Sequence, residues 1–158
     1  MTTEQDREAT IARNLAVVQE HFHNENPEDV DKAIALYADE IVWEAPSRGV
    51  VHRTHADVKA AYLDIFDTIH ITRMVLLRET ATETSVFTDH IGEGVVIGNK
   101  MPNLPFGPGT QLNARLVHNF ELKDGRITRE TAYEIWREAG SAVDHDDIPA
   151  GATEVQLS

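Results

Sequence analysis

ARLVHNFELKDGRITRETAYEIW, residues 114–136, decides the fold. It reads as two strands joined by the turn Lys123-Asp124-Gly125, with a period-two pattern on either side. In the first strand Leu112, Ala114, Leu116, His118, Phe120 and Leu122 share one face, while Gln111, Asn113, Arg115, Asn119 and Glu121 share the other. His118 therefore points with the core, where the pattern asks for valine. In the second strand Thr128, Glu130, Ala132, Glu134 and Trp136 alternate with Ile127, Arg129, Thr131, Tyr133 and Ile135, so its interior phase stays open. If the glutamates face inward, two carboxylates stand beside a histidine; if Tyr133 and Ile135 take the inside, the glutamates are a solvated face.

Working back along the chain, HITRMVLLRET from His70 and TETSVFTDHIGEGVVIG up to Gly98 are two more strands. NKMPNLPFGPG, residues 99–109, follows them; it is rich in Pro and Gly yet apolar at Met101, Leu104 and Phe106, which predicts a flap at one end of the sheet. ADEIVWEAPSRG alternates until Pro46 and Gly49 stop it, as a short strand or hairpin arm. Helical spacing of Ile11, Leu15, Val18 and Phe22 predicts a helix over 5–23. A second helix starts with Asn26 as cap and Pro27 in its first turn, burying Val30, Ala33, Ile34 and Tyr37. A third spans His55 to Asp67, with Thr54 as cap and Val58, Tyr62, Ile65 and Phe66 on one face. Helices followed by an antiparallel sheet of about four or five strands form an α+β layout.

The 158 residues suit one domain, taken as 1–138, followed by an acidic tail, 139–158, that lacks periodicity and is expected to run over the surface or across a partner subunit. Twenty-seven acidic against 14 basic residues give a net charge of −13, which repels nucleic acid and anionic lipid; Asp144, Asp146, Asp147 and Glu154 place part of it in the tail. No apolar run is long enough for a membrane span and the start does not read as a secretory signal, so a cytoplasmic location is expected. Cysteine is absent, which excludes thiolate nucleophiles and zinc–thiolate sites.

The strand before the flap offers a second histidine, His90, in phase with Thr88, Gly92 and Gly94; glycines there fit a bend or a close backbone approach. A bent sheet makes a concave face, and Trp43 and Tyr62 fit its apolar walls. A histidine in an apolar cavity is pulled one way by desolvation and the other by a nearby carboxylate, so a His–Glu pair is suited to proton transfer near neutral pH. The plainer reading is a core histidine bonded to backbone, with Trp43 and Tyr62 as ordinary core. His21, His23, His52, His55, His70 and His145 read as surface positions. His90, His118 and a glutamate could ligate a metal if their strands are adjacent, but no spacing is diagnostic and no metal is expected.

The layout, with LYADEIVWEAP at the first strand and FELKDGRITRE at the last hairpin, resembles the nuclear transport factor two-like fold in its SnoaL-like branch, over roughly residues 8–138. That resemblance implies a cone in which three N-terminal helices pack on a strongly bent antiparallel sheet enclosing a pocket, with subunits often paired through the outer sheet face. Its relatives include ketosteroid isomerase, limonene epoxide hydrolase, polyketide cyclases, dehydratases and lyases; others bind without catalysing. His118 falls where the cyclases have a pocket histidine and near the isomerase's hydrogen-bond-donating acid. Ala45 stands where the isomerase keeps its basic Asp, His90 and Gly92 where the epoxide hydrolase keeps Arg and Asp, and Ala132 where hydrolase and cyclases both keep Asp. Only Glu130 or Glu134, two residues along the same face, could stand in.

The sequence therefore predicts a cofactor-independent acid–base enzyme of lyase, dehydratase, isomerase or cyclase type, acting on a small hydrophobic, oxygenated cyclic or aromatic substrate. His118 would be the principal acid–base group, Glu130 or Glu134 its partner and His90 a further polar contact, with Trp43, Tyr62, Leu116 and Phe106 against the substrate. The alternatives are a non-catalytic binder of a hydrophobic metabolite and a scaffold that only dimerises. A homodimer through the outer sheet face is expected.

Overall fold

The computed structural model describes residues 3–141 and 148–155. Asp144, His145, Asp146 and Asp147, read above as tail or surface positions, lie outside the described residues. Helix α1 (Glu4–His23) begins with a capping box in which Thr3 and Asp6 exchange hydrogen bonds. Asn26 does not cap the second helix. Its side chain accepts from the backbone N–H groups of Glu28 and Asp29, an Asx turn that uses up the first residues, so α2 (Val30–Ile34) is a single turn starting later than expected. Tyr37 consequently belongs to strand β1 (Tyr37–Ala45) and not to the helix. A 3₁₀ turn at Pro46–Arg48, with Gly49 in the left-handed region (φ 66°), leads to the short β2 (Val50–His52). Thr54 then caps α3 (His55–Thr68) by accepting from Asp57 N–H.

Four long strands follow: β3 (Ile69–Ala81), β4 (Ser85–Val96), β5 (Gln111–Lys123) and β6 (Arg126–Glu138). The β5–β6 turn has Asp124 at φ 52° and Gly125 at φ 76°, positive at both central residues as a tight hairpin requires. The sheet has six strands in the order β2-β1-β6-β5-β4-β3 and it is mixed, because β1 runs parallel to β6. This corrects the expectation of three N-terminal helices packed on an antiparallel sheet: β1 and β2 precede α3, and β1 joins β6 by long-range parallel pairing, so no hairpin turn dictates its direction. The sheet is open, with β2 and β3 at its edges. Register shifts on β3 at Ile71/Arg73 and Leu76/Arg78 mark bulges, which bend a strand and increase its twist. At Gly92 and Gly94 a Cβ would lie 2.9 Å from the Arg73 carbonyl and 2.8 Å from that of His70, so these glycines permit the close approach of β3.

The larger core packs α1, α2 and α3 against β1, β5 and β6 around Val18, Tyr37, Trp43, Val58, Phe120 and Ile127. A smaller cluster, Ile69, Val96, Met101 and Leu112, sits under the flap, where Leu104 and Phe106 pack against it. Past the undescribed residues the chain returns to edge strand β3: Glu154 bridges Val75, Val155 N–H donates to the Met74 carbonyl (2.8 Å), and Glu154 pairs with Arg73 (2.7 Å).

Candidate active site

Register settles the open phase of β6. Phe120 lies opposite Glu130, His118 opposite Ala132, Leu116 opposite Glu134 and Ala114 opposite Trp136, so the glutamates share the inner face with His118. Tyr133 and Ile135 point outward, 49% and 53% exposed. Between this face and the helices lies a cavity of about 390 Å³, at the lower end of the usual range for small-molecule pockets. His90, His118, Glu130, Glu134, Trp43, Tyr62 and Leu116 all line it, with Phe22 of α1, Ile65 and Phe66 of α3, Met101 of the flap and Val155 of the tail. Phe106 does not: it packs with Leu104 on the cluster beneath the flap, and Met101 is the flap residue that reaches the cavity.

His118 is nearly buried, stacked on Phe120 with ring centroids 5.8 Å apart and met edge-on by Phe22 at 5.2 Å. Its Nε2 lies 3.9 Å from Glu130 Oε1, too far for a hydrogen bond and close enough for the carboxylate charge to act on the ring. Its Nδ1 has no hydrogen-bond partner, nor does that of His90. The two rings stand 6.5 Å apart. Burial, helped by the positive charge His118 can carry, pushes His90 down to about 4, so His90 is neutral at physiological pH and suited to hydrogen bonding. Trp43 Nε1 is likewise without a partner.

Glu130 is wholly buried and would be costly as an anion if left alone. Tyr37 O–H donates to its Oε2 (2.5 Å), the Tyr62 hydroxyl lies 3.1 Å from its Oε1, and His21 Nε2 lies 3.2 Å from Oε2. Burial raises the pKa of Glu130, but the His21 charge and these bonds outweigh it and hold the group below the ordinary carboxylate value. His21 corrects the surface reading: it is fully buried, donates from Nδ1 to the Ala33 carbonyl (3.2 Å), and also meets Glu25 at 3.0 Å. Burial lowers its pKa, and Glu130 and Glu25 more than reverse this, to about 10. His23 and His70 are exposed, whereas His52 and His55 are half-buried, His55 through a 2.7 Å bond to the Ala38 carbonyl.

Glu134 has a different partner. Arg48, itself buried, grips it with two hydrogen bonds (2.7 and 3.1 Å), and Trp136 Nε1 donates to it at 3.2 Å. Both Glu134 oxygens are thus committed to N–H donors, which leaves Glu130 as the partner for His118. Among the described residues one group has the types and spacing of a metal site, His21, Glu25 and Glu130, with ligating atoms within 4.8 Å. The Glu25 and Glu130 oxygens stand 3.0 and 3.2 Å from His21 Nε2, the distances of hydrogen bonds from a protonated ring nitrogen.

The SnoaL-like domain profile matches residues 18–130, which carry the whole site except Ala132, Glu134, Trp136 and Val155. The chain belongs to the SnoaL-like domain family. Solved structures share the fold at low identity. An NTF2-like protein from Burkholderia xenovorans LB400 is 17% identical with a TM-score of 0.66, covering 79% of this chain and 91% of its own. A candidate polyketide cyclase from Xanthomonas campestris pv. campestris is 21% identical (TM-score 0.64; 78% and 91%). An LEH-like epoxide hydrolase from M. tuberculosis is 19% identical (TM-score 0.59; 79% and 84%). No curated protein matches the sequence.

The sequence reading missed Arg48, Glu25 and the buried role of His21. His21 carried a signal, since Asn14, Val18 and His21 recur at helical spacing and are the buried residues of α1. Arg48 carried none: only the turn at Gly49 and the flap bring it to Glu134, 86 residues away.

Proposed function

We propose that this SnoaL-like protein is an acid–base catalyst that takes a small, neutral, oxygenated cyclic or aromatic compound into the cavity and moves a proton with His118, using no group beyond its own side chains. The observation that carries this reading is the buried Glu130 carboxylate 3.9 Å from His118 Nε2 on a ring that lines the cavity. An imidazole that lines the cavity with a carboxylate behind it can accept a proton from a bound substrate and return it within one turnover. Lyase, dehydratase, isomerase and cyclase reactions all need such an exchange. Neutral His90 and Trp43 Nε1 supply polar contacts, and Tyr62 and Leu116 the walls.

Charge argues for a neutral substrate. Glu25, Glu28, Glu130 and Glu134 line the cavity, while the cations behind them, His21 and Arg48, are already committed to carboxylates. An anion would enter against that field. No helix among the described residues is long and apolar enough to cross a membrane. The outward Tyr133 and Ile135 fit pairing of two copies through the outer sheet face.

The test is incubation with a panel of neutral cyclic ketones and hydroxyketones in deuterated water, followed by NMR for deuterium uptake or water loss. Turnover of at least one compound, abolished in His118→Gln with the fold intact, is expected. Equal turnover in that variant would overturn the assignment, and saturable binding with no exchange across the panel would favour a binding protein.

A further inference from the structure

α1 brings to the bottom of the cavity a histidine that does not itself line it. His21 is fully buried, and each of its ring nitrogens meets an acceptor: Nδ1 the Ala33 carbonyl of α2 at 3.2 Å, Nε2 the carboxylates of Glu25 and Glu130 at 3.0 and 3.2 Å. A neutral imidazole has one N–H, and would leave a lone pair pressed against a carbonyl or two carboxylates. The remaining groups around the ring are hydroxyls, Tyr62 of α3 at 3.1 Å and Tyr37 of β1 at 3.3 Å, and the edges of Phe22 and Phe120. The Tyr37 proton is committed to Glu130, and the single Tyr62 proton has Glu25 and Glu130 as charged acceptors ahead of Nε2, so the geometry favours a ring with both nitrogens protonated.

The anion it faces is the one beneath His118. Glu130 has no solvent to stabilise it, so its charge depends on the two tyrosine hydroxyls and on His21. From β5, His118 faces Glu130 on one side and uncharged His90 of β4 on the other. Protonation of Glu130 would remove the carboxylate charge that faces the His118 ring at 3.9 Å.

We propose that His21 is a positioning residue for the His118–Glu130 pair: a permanent buried imidazolium that supplies the counter-charge holding Glu130 as a carboxylate against His118. The inference rests on the reading of His118 as the acid–base group and gives α1 a part in it. His21 touches no substrate; it acts through Glu130, with Glu25 sharing its charge at the cavity rim.

Histidine-selective ¹H–¹⁵N spectra across pH on the protein without added ligand test this. His21 is expected to show two protonated ring nitrogens from about pH 5 to about pH 9, while an ordinary histidine titrates near 6.5. A single protonated nitrogen on His21 near neutrality would overturn the proposal. In His21→Gln the Glu130 carboxyl, followed by ¹³C NMR across pH, should titrate at higher pH than in wild type, and His21→Lys, which restores a cation, should return it part of the way. An unchanged Glu130 midpoint in a folded His21→Gln protein would also overturn it. Should that variant fail to fold, the wild-type His21 spectrum decides alone. Both readouts are free of turnover, so failure here appears in the titrations and failure of the acid–base reading appears in the His118→Gln assay.

Discussion

Acidification should destabilise the fold through His90 by an amount that can be isolated. Burial among Phe22, Leu116 and the β4 backbone lowers this ring from its ordinary 6.5 to about 4. Between those values the unfolded chain binds a proton that the folded protein refuses. The contribution of His90 is therefore complete above about pH 6.5 and is lost as pH falls toward about 4. The difference of 6.5 and about 4, at about 1.4 kcal/mol per pKa unit, gives about 3.5 kcal/mol in full, of which about 3 kcal/mol is lost by pH 4, where the folded ring is half protonated. Urea unfolding of wild type and His90→Leu at neutral pH and near pH 4 measures it. Leucine shifts stability by a constant at every pH, while the carboxylates that also lose stability in acid, Asp89 under Arg115 and Arg78 and Glu130 beside His21, are common to both chains and cancel in the double difference. Wild type should lose about 3 kcal/mol more than the variant over this range. Parallel losses in the two proteins would refute the claim that His90 is held neutral by burial.

Arg48→Met should destabilise by about 3–5 kcal/mol, because it strands Glu134 as a buried charge, and Glu134→Gln in the same chain should recover much of it; chemical denaturation reads both. Gly92→Ala should cost about 1–3 kcal/mol and lower the melting temperature, since the new methyl meets backbone oxygen and not a side chain that could swing aside. Phe120→Ala, which empties a fully buried position beneath His118 and Phe22, should cost about 3–5 kcal/mol in urea.

Much of this architecture was legible because period-two runs are long in β3 through β6 and the turn at Asp124-Gly125 is specific. The inward face of His118 followed from parity alone. The phase of β6 could not follow, because the strand inverts the usual rule: it buries Glu130 and Glu134 and exposes Tyr133 and Ile135. That inversion is tolerated only because each glutamate has a cationic partner, His21 or Arg48, contributed by chain more than eighty residues away. Pairing of that range leaves no periodic trace. The parallel β1–β6 pairing was hidden for a related reason, since the chain between them passes through β2, α3, β3, β4 and β5 and no single turn sets their relative direction. Phe106 was misplaced because apolar character in a Pro-rich flap does not say which side of it faces the cavity; Met101 does.

The pH dependence of proton exchange into a turned-over cyclic ketone tests the central claim most directly, because it asks whether the ring at position 118 titrates in step with catalysis. The expected profile has a limb between about pH 5 and 8 in wild type that disappears, along with most of the rate, in His118→Gln. A profile that keeps its limb and its height without the imidazole would contradict the account.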